Sequence, residues 1–287
     1  GSGKARQHRS TNPKHRPLRS SAKFKKASEK RQLTNGKSSN SRQFMPKVSN
    51  AEQHIQDEAL CPSIDPVSQS RHFFISEFEA ANSVRLSSLE LELIKDSSFV
   101  DVAVDYSKIG RSNSVTLLGN FIKCFFGSRW KEELCDAELQ QGEIDVGCPS
   151  VLMISTSASR TIELLRGVRP LTNKCHGAKL FSKHVKVEAQ IELLKGRVNI
   201  ASGTPSRLKK LVDGEALKLS RLKLLVIDID EDVKGYNLLT LPQVKNEFWE
   251  LYQTYFHPRL LEGNISVCFF GSFPKGNVKR GKRKGTQ

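Results

Sequence analysis

The sequence predicts an α/β protein: one doubly wound parallel sheet with flanking helices. Three observations lead there. From Val151 onward, short apolar runs alternate with segments of helical period, the order expected of parallel strands joined by crossover helices. The run from Leu224 to Ile227 is apolar without alternation, as a strand covered on both faces must be. Asp228, Asp230, Glu231 and Asp232 then cluster at its carboxyl end, where open α/β sheets place ligands. No internal repeat is visible.

Taken in order, residues 1–68 are rich in Ser, Asn, Gln, Lys and Arg, with scattered apolar residues such as Phe24 and Phe44. Such a segment cannot bury enough surface to offset its ordering entropy, so it reads as a disordered basic tail. Gly1-Ser2-Gly3-Lys4 looks superficially like a phosphate loop, yet no strand precedes it and no Ser or Thr follows the lysine. From His72 the pattern turns helical: Phe73, Phe74, Ile75 and Phe78, then Leu86, Leu89, Leu93 and Ile94, two helices expected to cover the sheet. Residues 105–114 read as a loop, Val115 to Phe126 as a third apolar segment closing with Gly127 and Trp130, and residues 142–150 as a loop into the strand Val151–Ser155.

Beyond it a helix is expected at about Ala158–Gly167, a strand at Ala178–Phe181 and a helix at Val185–Leu194. Val198, Ile200 and Ala201 form a strand-like run that stops at Gly203, and Thr204-Pro205 supplies an N-cap and a first-turn proline. Leu208, Leu211 and Val212 recur at helical spacing and leave Lys209 and Lys210 in water. Pro242 opens a helix whose Val244, Phe248, Leu251, Tyr252 and Tyr255 share one face, read as core packing rather than base stacking; Pro258 is expected to stop it. Ile265–Phe270 is the last buried strand. The folded domain is therefore placed at residues 69–274, between the tail 1–68 and a second basic tail, 275–287.

Charge follows the same division. Of the chain's net +16 over 287 residues, residues 1–50 contribute 14 Lys/Arg against Glu29, and residues 275–287 contribute six basic residues and no acid, which leaves the middle at −3. The basicity belongs to the tails, and it favours a polyanionic partner reached by flexible arms. No apolar run reaches the roughly 18 residues of a membrane span, and the first 30 residues lack the apolar core of a signal peptide. Six cysteines are scattered without a paired spacing and read as reduced thiols; Cys175-His176 has no neighbours in sequence to complete a zinc site.

The stretch from Arg197 to Asp232 carries a resemblance. Its GTPSR closely resembles the T-P-G-R element of DEAD-box RNA helicases, and LLVIDIDED resembles the strand that ends in their D-E-A-D box. Upstream, SVLMISTSASRTIELL resembles their P-T-R-E-L-A strand and turn, and downstream ISVCFFGSFP resembles their S-A-T strand. The order is conserved, so residues from about 148 to 274 are similar to the first RecA-like domain of a helicase. With the helical segment before it and the basic tails, the chain is closer still to the Cms-one ribosomal small subunit family, helicase-like proteins of early pre-ribosomes.

The chemistry of a working helicase is missing from that likeness. Between Val115 and Pro149 there are four glycines but no Gly-Lys-Ser/Thr, the element that holds nucleotide phosphates and magnesium. Aligned on the acidic box, Asp228 takes the first position and Ile229 stands where the glutamate should be, leaving Asp230 and Glu231 out of register. Gly271-Ser272-Phe273 keeps S-A-T only in part, and the 13 residues after Pro274 hold no second RecA-like domain. The expectation is therefore a non-catalytic protein, with no catalytic residue, no metal and no cofactor.

The resemblance implies RNA-facing turns at Ser157, Ser159 and Arg160, and at Thr204, Ser206 and Arg207, with Lys183 standing in for a double-glycine element; caps of ordinary helices are the plainer reading of the same hydroxyls. It further implies RNA (pre-rRNA or a small nucleolar ribonucleoprotein) and pre-ribosomal proteins as partners, in the nucleus and nucleolus, during small-subunit biogenesis. Two other readings stay open: a nucleotide hydrolase with an atypical phosphate site built on Asp228, and a nuclear scaffold that binds protein through the aromatic helix.

Overall fold

A computed structural model of the chain describes residues 69–102, 111–136 and 146–273. Both basic tails and residues 105–110 of the expected loop lie outside the described residues. The centre is a five-stranded sheet in the order β2-β3-β1-β4-β5, from β1 (Val151–Ile154), β2 (Ala178–Leu180), β3 (Ile200–Gly203), β4 (Leu224–Asp228) and β5 (Ser266–Phe270). Every pairing is parallel, with Val151 opposite Ile200 on one side and Leu224 on the other. The α/β class expected from the sequence is what the structure holds.

Alternation along the strands divides the core in two. Leu152, Ile154, Ala201, Leu225, Ile227, Val267 and Phe269 face one layer of helices, while Val151, Met153, Ile200, Leu224, Val226, Cys268 and Phe270 face the other. The second layer is α3 (Arg111–Phe126) and α4 (Ala158–Gly167), through Leu118, Phe121, Ile122, Leu164 and Leu165. The first draws on α1 (Gln69–Asn82), α5 (Val187–Leu194), α6 (Pro205–Asp213), α7 (Lys245–Leu251) and α8 (His257–Leu261).

Three expectations need correction. The loop placed at 105–114 is too long, because α3 already begins at Arg111: a polar first turn hid its start. Helix α2 (Ser88–Leu93) covers no sheet; Leu89 is 73% exposed and Leu93 52%, and only the following Ile94 is buried. Pro258 does not stop the aromatic helix. Before it the backbone shifts to the i→i−5 pattern over Tyr252–Phe256, with the His257 N–H donating to the Tyr252 carbonyl, and Pro258 then sits in the first turn of α8, where a missing N–H costs nothing. Of the face read as core, Phe248, Leu251 and Tyr252 are fully buried, while Val244 and Tyr255 are half-buried against it; Phe256, outside that reading, is fully buried as well.

Candidate nucleic-acid interface

All five strands run the same way, so their carboxyl ends share one edge of the sheet, and β2, β3 and β1 are neighbours along it. The three turns singled out in the sequence therefore form one row. After β1, Ser157 is the N-cap of α4, its hydroxyl accepting from the Arg160 N–H at 3.2 Å, and Ser159 points to solvent. After β2, Ser182, Lys183 and His184 are exposed, with His184 at φ 59°. After β3, Thr204 holds the N-cap position of α6 without a side-chain bond, and its N–H donates instead to the Leu180 carbonyl at 3.1 Å. Ser206 is exposed.

A side chain that sequence reasoning passed over locks these turns together. Gln190 of α5 is buried; its amide donates to the carbonyls of Lys179 (2.8 Å) and Phe181 (3.0 Å), and its oxygen accepts from Arg207 Nη1 at 2.6 Å. The Arg207 guanidinium also donates to the Val185 carbonyl at 3.1 Å, so it braces the turn after β2. A Cβ on Gly203 would lie 2.3 Å from the Leu180 carbonyl oxygen, which is why the strand ends there in glycine. A glutamine at helical spacing from Val187 and Leu194, on the face those two share, was the available signal.

Arg160 is where the structure departs most from expectation. It is 3% exposed, and rather than facing an RNA backbone its guanidinium reaches back over the sheet to the tip of β4. Nε donates to Asp228 Oδ2 at 2.9 Å and Nη2 to Oδ1 at 2.8 Å, a bidentate pair, with Asp230 at 3.3 Å, Glu163 at 3.0 Å and the Phe270 ring beneath. Burial alone would lower the basicity of Arg160, but bonding to Asp228 and the charges of Asp228 and Asp230 hold it above the ordinary guanidinium value. Ile229 is fully buried, Glu231 is exposed, and Asp232 accepts the N–H groups of Lys234 and Tyr236 to fold the turn that follows. Gly271, at φ 133°, presses on this strand end: a Cβ there would sit 2.7 Å from the Asp230 nitrogen.

The place for a phosphate loop also moves. Phe99 bridges Val267 in parallel, and Val100 donates to the Val267 carbonyl at 2.9 Å, so this segment extends the sheet beyond β5 and leads, through residues outside the described ones, to α3. This bridge to the sheet edge and the start of the helix that follows it in sequence lie upstream of Val115–Pro149. Residues 101–113, DVAVDYSKIGRSN, hold no Gly-Lys-Ser/Thr, and Gly36-Lys37-Ser38 of the N-terminal tail follows a polar stretch with no strand pattern. Cys175 is buried and donates to the Arg197 carbonyl at 3.4 Å while His176 is exposed.

With this geometry in hand, comparison with known proteins decides the family. The family model described as "CMS1: U3-containing 90S pre-ribosomal complex subunit" matches residues 8–270, nearly the whole chain. The chain belongs to the CMS1 family. The CMS1 family is one of ribosome-biogenesis factors by that description. Among its members, human Protein CMSS1 is 35% identical over 145 residues, covering 49% of this chain and 49% of that protein. Protein CMS1 of Chaetomium thermophilum is 33% identical over 137 residues, covering 47% and 52% respectively. The chain thus spans about half the length of the curated relatives it matches. Among solved structures, a yeast Dbp5 variant bound to Nup159, a Gle1 variant, IP6 and ADP aligns with a TM-score of 0.34 at 15% identity, over 46% of this chain and 32% of that one, a likeness too slight to carry a functional conclusion.

Proposed function

We propose that this CMS1-family chain is a non-catalytic, helicase-like RNA or ribonucleoprotein binding factor that acts in small-subunit assembly within a nucleolar pre-ribosomal particle. The observation that carries this reading is the Arg160–Asp228 pair. The first carboxylate of the acidic box, which in a nucleotide hydrolase must help hold magnesium, has both oxygens engaged by a buried guanidinium. An internal cation fills the electrostatic role of the metal, and Ile229 offers no base. The adjoining row of turns keeps its solvent-facing polar side chains, Ser159, Lys183 and Ser206, above the amino ends of α4 and α6. Arg160 and Arg207, both engaged within the protein, are not part of that surface; Ser157 and Thr204 shape the helix ends behind it.

Burial of Phe248 and Tyr252 counts against the scaffold reading, since those rings have no face left for a partner, and the half-buried Tyr255 donates its hydroxyl to Asp213. Two measurements test the proposal. Photocrosslinking of the full chain to RNA, with adducts mapped by mass spectrometry, is expected to mark peptides carrying residues 157–159, 182–184 and 204–206. Titration calorimetry with ATP and magnesium is expected to show neither micromolar binding nor turnover; saturable binding with hydrolysis would overturn the assignment.

A further inference from the structure

A second polar feature lies on the sheet's outer edge, away from the row of turns. A cavity of about 360 Å³ opens between the last turn of α4 and strand β2, with Ile162 and Leu165 among its lining residues, together with Arg166, Arg169, Lys179 and His176. No aspartate or glutamate lines it. In a folded segment, residues 69–274, whose net charge is only +1, three permanent cations around one cavity with no acid is a marked segregation of charge. None of the three has a hydrogen-bonded or ion-paired side-chain partner among the described residues, whereas Arg160, Arg207 and Arg221 of the same domain all do.

The position of Arg169 is set rather than incidental. It begins the turn Arg169–Leu171 that follows α4, with Pro170 fixing the backbone and the Thr172 hydroxyl donating to the Arg169 carbonyl at 3.2 Å. Like charges held this close are stabilised by an anion between them, and two guanidinium forks suit phosphate oxygens. The occupant is not the chain's own tails, which carry the same sign. Strand β2 is the edge of the sheet, and Lys179 lies on it four residues before Lys183, at most about 14 Å along the backbone. A cationic path therefore runs from the cavity up the edge strand to the turn already described. An evenly charged chain fits such a path better than a single anion does, and an apolar floor beside guanidinium planes suits an unstacked base.

We infer that Arg166, Arg169 and Lys179 form a second RNA-backbone contact, continuous with the Lys183 turn, which seats a single-stranded segment along the outer edge of the sheet. The inference rests on the RNA-binding reading above, and the test keeps the two apart. Fluorescence anisotropy with the full chain and labelled oligouridine, over a range of salt, is compared for wild type, Arg166→Glu/Arg169→Glu and Lys179→Glu. Arg166→Gln/Arg169→Gln is included in case the reversed pair disturbs folding, which circular dichroism checks.

The reversed pair is expected to weaken binding at least about ten-fold and, with two phosphate contacts gone, to lower the salt slope by about 1.4. Unchanged affinity in all three variants, with wild type binding normally, overturns the edge contact and leaves the proposed function standing. Wild type that fails to bind oligouridine takes down both. Loss of binding to a polyglutamate peptide with oligouridine binding intact also overturns it, in favour of an acidic protein partner.

Discussion

Arg160 and Asp228 are each buried, and each is tolerable there because of the other. Removing one partner strands a charge in a dry site, a cost of about 3–5 kcal/mol, whereas replacing both by apolar groups of similar size is close to neutral. Asp228→Ala and Arg160→Met are therefore expected each to lower unfolding free energy by about 3–5 kcal/mol in urea titrations, and Arg160→Met/Asp228→Leu to recover most of that. Single variants within about 0.5 kcal/mol of wild type would sink the structural role of the pair. The same logic disqualifies Asp228→Ala as a clean probe of hydrolysis, since lost activity there would follow from lost fold. His257 gives a pH signature. Burial against Tyr252 and a stacked Phe78 ring, 5.0 Å away, holds its pKa below the usual histidine value, although the Glu90 charge opposes the shift. A histidine depressed on folding binds its proton more readily when unfolded, so its contribution is complete above the unfolded pKa, about 6.5, and is lost as pH falls below it. The melting temperature of wild type is expected to drop more between pH 7.5 and 5.5 than that of His257→Gln; parallel curves would remove His257 as the cause.

Helices α3 and α4 meet backbone to backbone at Gly119 and Gly167. A Cβ on Gly167 would fall 2.1 Å from the Val115 carbonyl oxygen, and one on Gly119 would fall 2.8 Å from the Gly167 carbonyl oxygen. Alanine at Gly119, mid-helix, gains up to about 1 kcal/mol of helix propensity to set against that milder clash, whereas Gly167, the last residue of its helix, gains little. Gly167→Ala is expected to cost about 1–3 kcal/mol and Gly119→Ala clearly less, as read by thermal unfolding; the reverse order would mean the crossing has been misjudged. Contacts of this kind are illegible in a sequence, because the glycine signals close approach without naming what approaches. Strands were legible for the opposite reason: Leu224–Ile227 and Val267–Phe270 sit between helix layers, and that double burial is written directly as unbroken apolarity. The π turn at Tyr252–Phe256 left no trace, since shifting one hydrogen bond changes no residue type. In the candidate site, chain order located the turns, and parallel pairing then put them in a row. What order could not give was direction: a first-turn arginine can face solvent or fold back, and only the carboxylate waiting at the tip of β4 turned Arg160 inward.

Across the whole molecule, charge and fold are separated. The folded part, residues 69–274, carries a net charge of only +1, which gives a polyanion almost no general attraction, so any RNA contact it makes must come from local groups such as Lys183 and the cations beside β2. The proposed arms, with +13 in residues 1–50 and +6 in 275–287, hold the long-range attraction. Affinity for RNA is then expected to fall steeply with salt in the full chain, because each phosphate neutralised releases counterions and adds about 0.7 to the slope on a single strand. Deleting residues 1–50 and 275–287 together should flatten that dependence and slow association far more than it speeds dissociation, since arms that search a volume act before docking. Selectivity among RNA sequences should change little, because backbone neutralisation carries no sequence information. A slope unaffected by the deletion would place the electrostatics on the folded domain, despite its near-neutral net charge, and the two-step picture of capture by the arms and docking by the sheet edge would have to be abandoned.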